Sequence, residues 1–299
     1  EIMRLALPPT AASQALAACV ATTLFVVPFQ PPALAAAPPS AEAQATLRRG
    51  YQAAASGLLT SADTLLTQSI KEWQRTSQPP DETSALLKSR ALVRQEQGRL
   101  QEALADLDAA LPLLESPEVR GLDPAEVQRT YLLRARINAA LRNWRPAESD
   151  LSAAIARLDT LDALEATNPY LFQERASARA NLGQYSGASE DALQAAADFK
   201  AIGAKVRRLS ALADAALALY GADAVPEATE QMRYLFANVK TAMSNNPDDI
   251  GLLQELSRKE AELHLAYASH LFAAEGKRAE AEKQWQAGCI RLEGFVADA

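Results

Sequence analysis

The chain has 299 residues with a formal net charge of −7; 48% of its residues are hydrophobic and only 6% are aromatic. This length allows one or two domains. The negative charge argues against general nucleic-acid binding, because neutralising phosphates requires a basic surface. The two cysteines, Cys19 and Cys289, exclude an internal disulfide framework if the N-terminal segment is removed, since only one then remains. No segment shows sustained alternation with β-branched residues, so the sequence predicts an all-α protein.

The N-terminal segment has the pattern of a cleavable leader. No charged residue lies between Arg4 and Glu42, and residues 16–27 form an apolar run. This run is shorter than the ~20 residues of a membrane span but fits the core of a secretory signal. Small residues at 33–35 predict cleavage after Ala35, with Ala37 as the alternative. The predicted organisation is therefore a leader at 1–35, a flexible linker at 36–42 and a repeat domain at 43–299.

Three alternatives for this segment stay open. The first is a buried helix of the mature fold, the second is an uncleaved anchor, and the third is the remainder of a longer leader whose plastid transit peptide lies upstream. Seven prolines between positions 8 and 39 argue against the buried helix, because proline interrupts helical hydrogen bonding.

The rest of the chain is organised by an internal repeat. The stretch from Glu174 to Phe199 has small residues spaced for two short helices packed back to back, and helices approach closely only where such side chains are short. Two upstream segments repeat its pattern of Ala, Ala, a leucine-like residue and Ala. The three copies contain Ala91, Ala103, Leu107 and Ala110; Ala135, Ala147, Leu151 and Ala154; and Ala176, Ala188, Ala192 and Ala195.

Three weaker copies extend the frame in both directions. They contain Gly50, Ala62, Leu66 and Ser69; Ala216, Ala228 and Met232; and Ser269, Gly276, Ala281, Trp285 and Gly288. The second-helix frame residues thus lie at 62, 103, 147, 188, 228 and 281, which predicts six helix pairs. The three clear copies also carry an acid three residues after the second Ala, at Asp106, Asp150 and Asp191. We expect these acids to make capping or shoulder contacts, because carboxylates separated by whole repeats cannot share a cation.

These positions resemble the tetratricopeptide repeat family over residues 43–295. The spacings of 41, 44, 41, 40 and 53 residues exceed the family's period of about 34. The resemblance implies an all-α, right-handed α-α superhelix, a TPR-like solenoid of about six helix pairs. The segment 281–289 and the leader are also similar to the TPR-like proteins of the chloroplast thylakoid lumen.

In the tetratricopeptide family, the first helix of each pair lines a groove that binds protein segments. Transferring its positions to this chain predicts a protein-binding surface formed by Lys88, Gln95, Arg129, Leu132, Arg136, Tyr170, Gln173, Asn181, Tyr220 and His270. Three of these residues, Lys88, Arg129 and Arg136, form a basic stripe suited to steering an acidic or C-terminal peptide. An ordinary solvated face is the equally open alternative.

The family's chaperone-tail clamp is not expected in this chain. Lys88 matches the first clamp residue, but Leu92, Leu133, Tyr170 and Glu174 occupy the other four positions. These side chains do not reproduce the Lys, Asn and Arg set that grips a terminal carboxylate.

No catalytic, cofactor or metal motif stands out in the sequence. There is no phosphate loop, dinucleotide fingerprint or nucleophile elbow. His264 and His270 are six residues apart, so on one helix they point about 240° from each other and cannot share a metal. We therefore predict a protein without catalytic residues, cofactor or metal.

The predicted function is a non-catalytic, protein-binding scaffold of the thylakoid lumen. Its partner would be a lumenal segment of a photosynthetic membrane complex during assembly, repair or regulation, and it would be peripheral rather than integral to the membrane. The alternatives are a bacterial periplasmic or secreted adaptor for envelope proteins or peptides, and a docking arm of an enzyme whose catalytic domain follows this chain.

Overall fold

The computed structural model describes residues 40–75, 79–116, 119, 123–158, 168–245, 249–273 and 276–297. Within these ranges all regular secondary structure is helical, and the prediction of an all-α, tetratricopeptide-like repeat fold is confirmed. The predicted leader at 1–35 and most of the predicted linker lie outside the described residues.

The described ranges contain twelve helices, numbered here in chain order. Of these described helices, none is long and apolar enough to cross a membrane. Their bounds are α1 Ala41–Ala55, α2 Leu59–Arg75, α3 Pro80–Glu96, α4 Leu100–Leu114, α5 Pro124–Ala140, α6 Trp144–Ile155, α7 Pro169–Asn181, α8 Tyr185–Ala201, α9 Lys205–Gly221, α10 Val225–Asn245, α11 Ile250–Ala273 and α12 Arg278–Ala297.

The helices belong to two compact units that divide between Ala166 and Thr167. The first unit holds the helix pairs α1–α2, α3–α4 and α5–α6, and the second holds α7–α8, α9–α10 and α11–α12. The six predicted pairs are therefore all present, in the order of the sequence frame. The predicted repeat domain contains two units of three pairs each, and we number the pairs as repeats one to six.

The small frame residues lie where the two helices of each pair meet. The second-helix frame residue is at most 1% exposed in every repeat, and the first-helix alanines of repeats two to five are at most 3% exposed. Short side chains at these crossings allow the close approach that the frame predicts. The buried set comprises Ala62, Ala103, Ala147, Ala188, Ala228 and Ala281, with Ala91, Ala135, Ala176 and Ala216 on the facing helices.

The sixth repeat departs from the predicted frame. Ala268 is buried while the predicted Ser269 is exposed, so the frame shifts by one residue in α11. Trp285, predicted at a core position, is 42% exposed. The crossing is very close at Gly288, where an added Cβ would lie 2.8 Å from the side chain of Leu265. An indole does not fit between helices that approach so closely, so Trp285 stays at the edge.

Side-chain hydrogen bonds cap the starts of α5 and α1. The side chain of Asp123 accepts a hydrogen bond from the Ala125 amide at 2.9 Å, and Pro124 follows it at the first helical position. Asn168 precedes α7 but makes no capping bond. Ser40 accepts from the Ala43 amide, so α1 begins at Ala41, inside the segment predicted to be linker.

Candidate protein-binding surfaces

In the first unit, the predicted groove residues come from α3 and α5. Lys88 and Gln95 lie on α3, and Arg129, Leu132 and Arg136 lie on α5. Arg129 is exposed, and the other four are half-buried. The structure therefore brings the three basic side chains of the predicted stripe onto two first helices of the same unit.

Two carboxylates offset much of the charge of this stripe. Lys88 donates a hydrogen bond to Glu126 of α5, which links the two first helices. Arg129 lies 2.7 Å from Asp123 and 3.6 Å from Glu126. Burial lowers the pKa of Lys88 to about 8, and the positive charge of Arg129 adds to this effect. The stripe is thus a mixed surface, in which Lys88 and Arg129 pair with Glu126 and Asp123.

In the second unit, the predicted groove residues of α7 differ in accessibility. Tyr170 and Phe199 pack in a T-shaped contact at 5.3 Å between ring centroids, and the Arg207 guanidinium lies over the Tyr170 ring at 5.2 Å. Gln173 donates to Asp214 of α9 at 3.2 Å. Asn181 is exposed and donates to the Ser177 carbonyl. Asn181 is consequently the most accessible predicted groove side chain on this helix.

The structure places Tyr220 in the core rather than on a binding surface. Its side chain is only 5% exposed, and its hydroxyl lies 3.2 Å from Thr229 and 3.6 Å from the sulfur of Met232. Its ring stacks on His270 at 5.1 Å, and burial raises its pKa. The position taken from the family is buried here because Tyr220 lies in the last turn of α9 and packs against Thr229 and Met232 of α10.

The recurrent acids are buried acceptors for arginines of the facing helix. Asp106 is 3% exposed, and Arg90 donates to both of its oxygens at 2.6 and 3.0 Å. A second arginine, Arg94, donates to the same carboxylate at 2.9 Å. Charge-assisted hydrogen bonds from two arginines of the first helix to one aspartate of the second therefore hold the two helices of the repeat in register.

The two-bond contact between one arginine and the buried aspartate recurs in the third and fourth repeats, and the fourth also has the second arginine. Arg134 donates to Asp150 at 2.6 and 2.9 Å, and this bond raises the pKa of Arg134. Arg175 donates to Asp191 at 2.7 and 2.9 Å, and Arg179 adds a bond of 3.0 Å. The sequence analysis expected only capping or shoulder contacts for these acids and did not predict their buried bonds to arginine. The sequence does carry a signal for these bonds, because an arginine precedes each first-helix alanine of these repeats.

A buried lysine forms a different polar cluster in the second unit. Lys259 of α11 is 6% exposed and lies 2.7 Å from Asp214 and 2.9 Å from Glu255. It also donates to the Ser210 hydroxyl at 2.7 Å. Burial opposes the charged form of Lys259, but the two carboxylates outweigh it and raise its pKa. Sequence analysis missed this cluster because none of its members occupies a frame position.

The histidines take structural positions. His264 is 8% exposed, stacks on Phe236 at 4.3 Å and lies 2.7 Å from the Gln284 side chain through Nδ1. In the part of the chain that the structure describes, no group of three or more histidine, cysteine or acidic side chains is arranged to hold a metal ion.

Similarity to known proteins is confined to the fold. No protein-family model matches the chain, and no curated protein matches its sequence. A tetratricopeptide repeat protein from Parabacteroides merdae is 17% identical, with a TM-score of 0.55 over 86% of this chain and 93% of that one. The TPR-like repeats of a putative kinesin light chain from Podosopora anserina are 20% identical, with a TM-score of 0.53 over 67% of this chain and 96% of that one.

A third solved structure is YrrB, described as a TPR protein with an unusual peptide-binding site. It is 11% identical, with a TM-score of 0.50 over 70% of this chain and 88% of that one. At these identities the likeness establishes a tetratricopeptide-like helical repeat fold.

Proposed function

We propose that this protein is a non-enzymatic scaffold that binds a segment of another protein against the first helices of its repeats. The observation that carries the proposal is the surface of α3 and α5, where Arg129 is 49% exposed and the same two helices carry Lys88 and Arg136. The exposed guanidinium of Arg129, on a first helix that the Lys88–Glu126 bond links to the preceding first helix, suits an acidic or C-terminal peptide. The peptide-binding site named for YrrB, a protein of similar fold, supports the same use of this chain.

Binding would involve exchange of charge partners. Arg129 contacts Asp123 and Glu126 in the structure, and exposed ion pairs of this kind contribute only about 0 to 1 kcal/mol. An incoming carboxylate can therefore replace these contacts at small cost. The expected interaction weakens as salt rises, because exposed charges are screened.

The double variant Arg129→Ala with Arg136→Ala tests this surface. We expect lower capture of the partner from an extract of the source cells, with unchanged helicity. The matched control is Arg48→Ala with Arg49→Ala, which removes the same charge from exposed positions of α1 outside the predicted groove. Equal capture by the two double variants and the wild-type protein would reject the basic stripe as the binding surface.

We further propose that the protein acts in the chloroplast thylakoid lumen on a lumenal segment of a photosynthetic membrane complex. The supporting observations are the uncharged leader with small residues at 33–35 and the resemblance of that leader and of segment 281–289 to lumenal TPR-like proteins. Cross-linking in intact source membranes should link the protein to thylakoid complexes. Recovery only as a free monomer would contradict this, and a bacterial host would favour a periplasmic adaptor for envelope proteins.

A further inference from the structure

The third repeat lacks the second arginine of the arginine–aspartate cluster found in the second and fourth repeats. In those two repeats a second arginine, Arg94 or Arg179, donates to Oδ2 of the buried aspartate at 2.9 or 3.0 Å. In the third repeat the equivalent residue is Asn138, whose Nδ2 lies 3.4 Å from Oδ2 of Asp150. The asparagine side chain is shorter than arginine, so it does not fill the corresponding space.

An open cleft of about 420 Å³ occupies this place. It is formed within the first unit by α4, α5 and α6, and its lining includes Leu104, Asp108, Arg134, Asn138, Ser149 and Asp150. This volume falls in the range of about 300 to 1,000 Å³ that is typical of ligand-binding clefts.

The walls of the cleft combine net negative charge with an apolar side. The carboxylates of Asp108 and Asp150 face one guanidinium, that of Arg134, which bonds both of them. The side chain of Asp150 is 5% exposed at the base, and that of Asp108 is 56% exposed at the rim. One further positive charge would balance the two carboxylates.

A comparison of the second and third repeats indicates how that charge would enter. In the second repeat, Nε of Arg94 donates to Asp63 of the preceding repeat at 2.9 Å. Leu104 stands at the position equivalent to Asp63 in the third repeat, one residue after the frame alanine. The cleft thus offers an apolar contact for a hydrocarbon stem and a buried carboxylate for its cationic end.

We infer that this cleft binds the guanidinium group of an arginine side chain presented by a protein partner. The group takes the place that Arg94 and Arg179 fill within their own repeats, and donates to Asp150 and Asp108. Arg94 and Arg179 each donate one N–H bond from that place to the aspartate Oδ2. A guanidinium carries further N–H groups in a planar fork that can reach Asp108 at the same time, whereas an ammonium is a compact point charge. The cleft shares no residue with the proposed groove surface, so it acts independently of that surface.

Binding of acetyl-arginine amide to the full chain tests the inference, with acetyl-lysine amide as the comparison. We expect saturable binding of the arginine probe, with a shift of the Asn138 side-chain amide in nuclear magnetic resonance spectra. The lysine probe should bind about tenfold more weakly, because a charge-assisted hydrogen bond is lost. Asn138→Arg, which restores the residue of the neighbouring repeats, should fill the cleft and abolish binding while helicity is retained.

Two further variants separate the cleft from other causes of lost binding. Asp108→Asn should weaken binding of the arginine probe without unfolding the chain. If Asn138→Arg does not fold, the affinity measured for Asp108→Asn tests the inference in its place. Arg129→Ala with Arg136→Ala should leave the probe affinity unchanged even if the groove proposal fails. Absence of saturable arginine binding, equal affinity for lysine, or unchanged affinity in folded Asn138→Arg or in Asp108→Asn would overturn the inference.

Discussion

Repeats two to four and repeat five hold their helix pairs together by different means. In repeats two to four, a buried aspartate of the second helix accepts two hydrogen bonds from an arginine of the first. In repeat five the arginine position is Ala215 and the aspartate position is Gln231. The frame alanines, Ala216 and Ala228, are fully buried there as they are in the other repeats.

This difference shows that small residues are sufficient for pairing, whereas the ionic clusters are an addition. Burying a charge is costly, and a buried ion pair often contributes little compared with apolar residues of the same volume. Once the ions are inside, however, removing the aspartate takes the buried carboxylate away from the arginine that bonds both of its oxygens. Repeats two to four should therefore be sensitive to single polar substitutions to which repeat five is tolerant.

The largest effect is expected for Asp106→Ala. Arg90 and Arg94 have side chains only 14% and 12% exposed, and both would lose their shared carboxylate. Breaking a buried ionic cluster costs about 3 to 5 kcal/mol. Urea unfolding should show this loss, while Gln231→Ala at the equivalent position of repeat five changes stability little. A loss of stability below about 1 kcal/mol in Asp106→Ala would show that the ionic clusters of repeats two to four matter no more than the polar position of repeat five.

Overpacking should affect both regions alike. Ala188→Trp in repeat four and Ala228→Trp in repeat five each place an indole at a crossing where the alanine is at most 1% exposed. Each should cost about 1 to 3 kcal/mol or more, measured by urea unfolding. Ser186→Trp, at an exposed position of α8, provides the control. If either alanine variant is as stable as this control, the frame residue does not set the crossing.

A smaller loss is expected when Lys259 is replaced by methionine. The substitution removes a buried cation that bonds Asp214, Glu255 and Ser210. The two carboxylates are 27% and 20% exposed, so water relieves part of the penalty and the loss should be about 2 kcal/mol. Lys240→Met, at an exposed position of α10, is the matched control, and equal unfolding curves for the two variants would contradict the role of Lys259.

The smallest expected effect is a difference in how stability depends on pH between Asp63, which bonds Arg94 and Arg99, and the Lys259 cluster. Burial opposes the charged form of Asp63, but hydrogen bonds from Arg99 and Arg94 outweigh it and lower its pKa below 3.8. The contribution of ionised Asp63 to the free energy of unfolding is therefore present above pH 3.8 and is lost as the pH falls through its lowered pKa. The pKa of Lys259 is raised above 10.5, so its contribution is complete below pH 10.5 and is lost as pH rises further.

Unfolding free energies of Asp63→Asn and Lys259→Met, each compared with the wild-type protein across pH, measure this contrast. The Asp63→Asn difference, about 1 kcal/mol or less, should shrink in acid. The Lys259→Met difference should shrink in alkali. Differences that do not change with pH would show that neither charge contributes.

The sequence was sufficient to predict the helix pairs because their crossings depend on single small residues at fixed spacing. Ala103, Ala147 and Ala188 occupy the predicted places for this reason. The accessibility of individual side chains was harder to predict, since it depends on how far each helix continues and where its neighbour turns. Tyr220 is buried although its family position faces a groove, and Lys259 lies on the 24-residue helix α11 at a position outside the repeat frame.

The most direct test of the scaffold proposal is site-specific photo-cross-linking in the source cells. A photoreactive residue at Asn181, exposed on the first helix α7, is compared with one at Gln194, exposed on the second helix α8. The account predicts covalent capture of a specific protein from position 181 and far less from position 194. Equal capture at the two positions, or recovery of the uncross-linked chain alone, would contradict binding through the first helices.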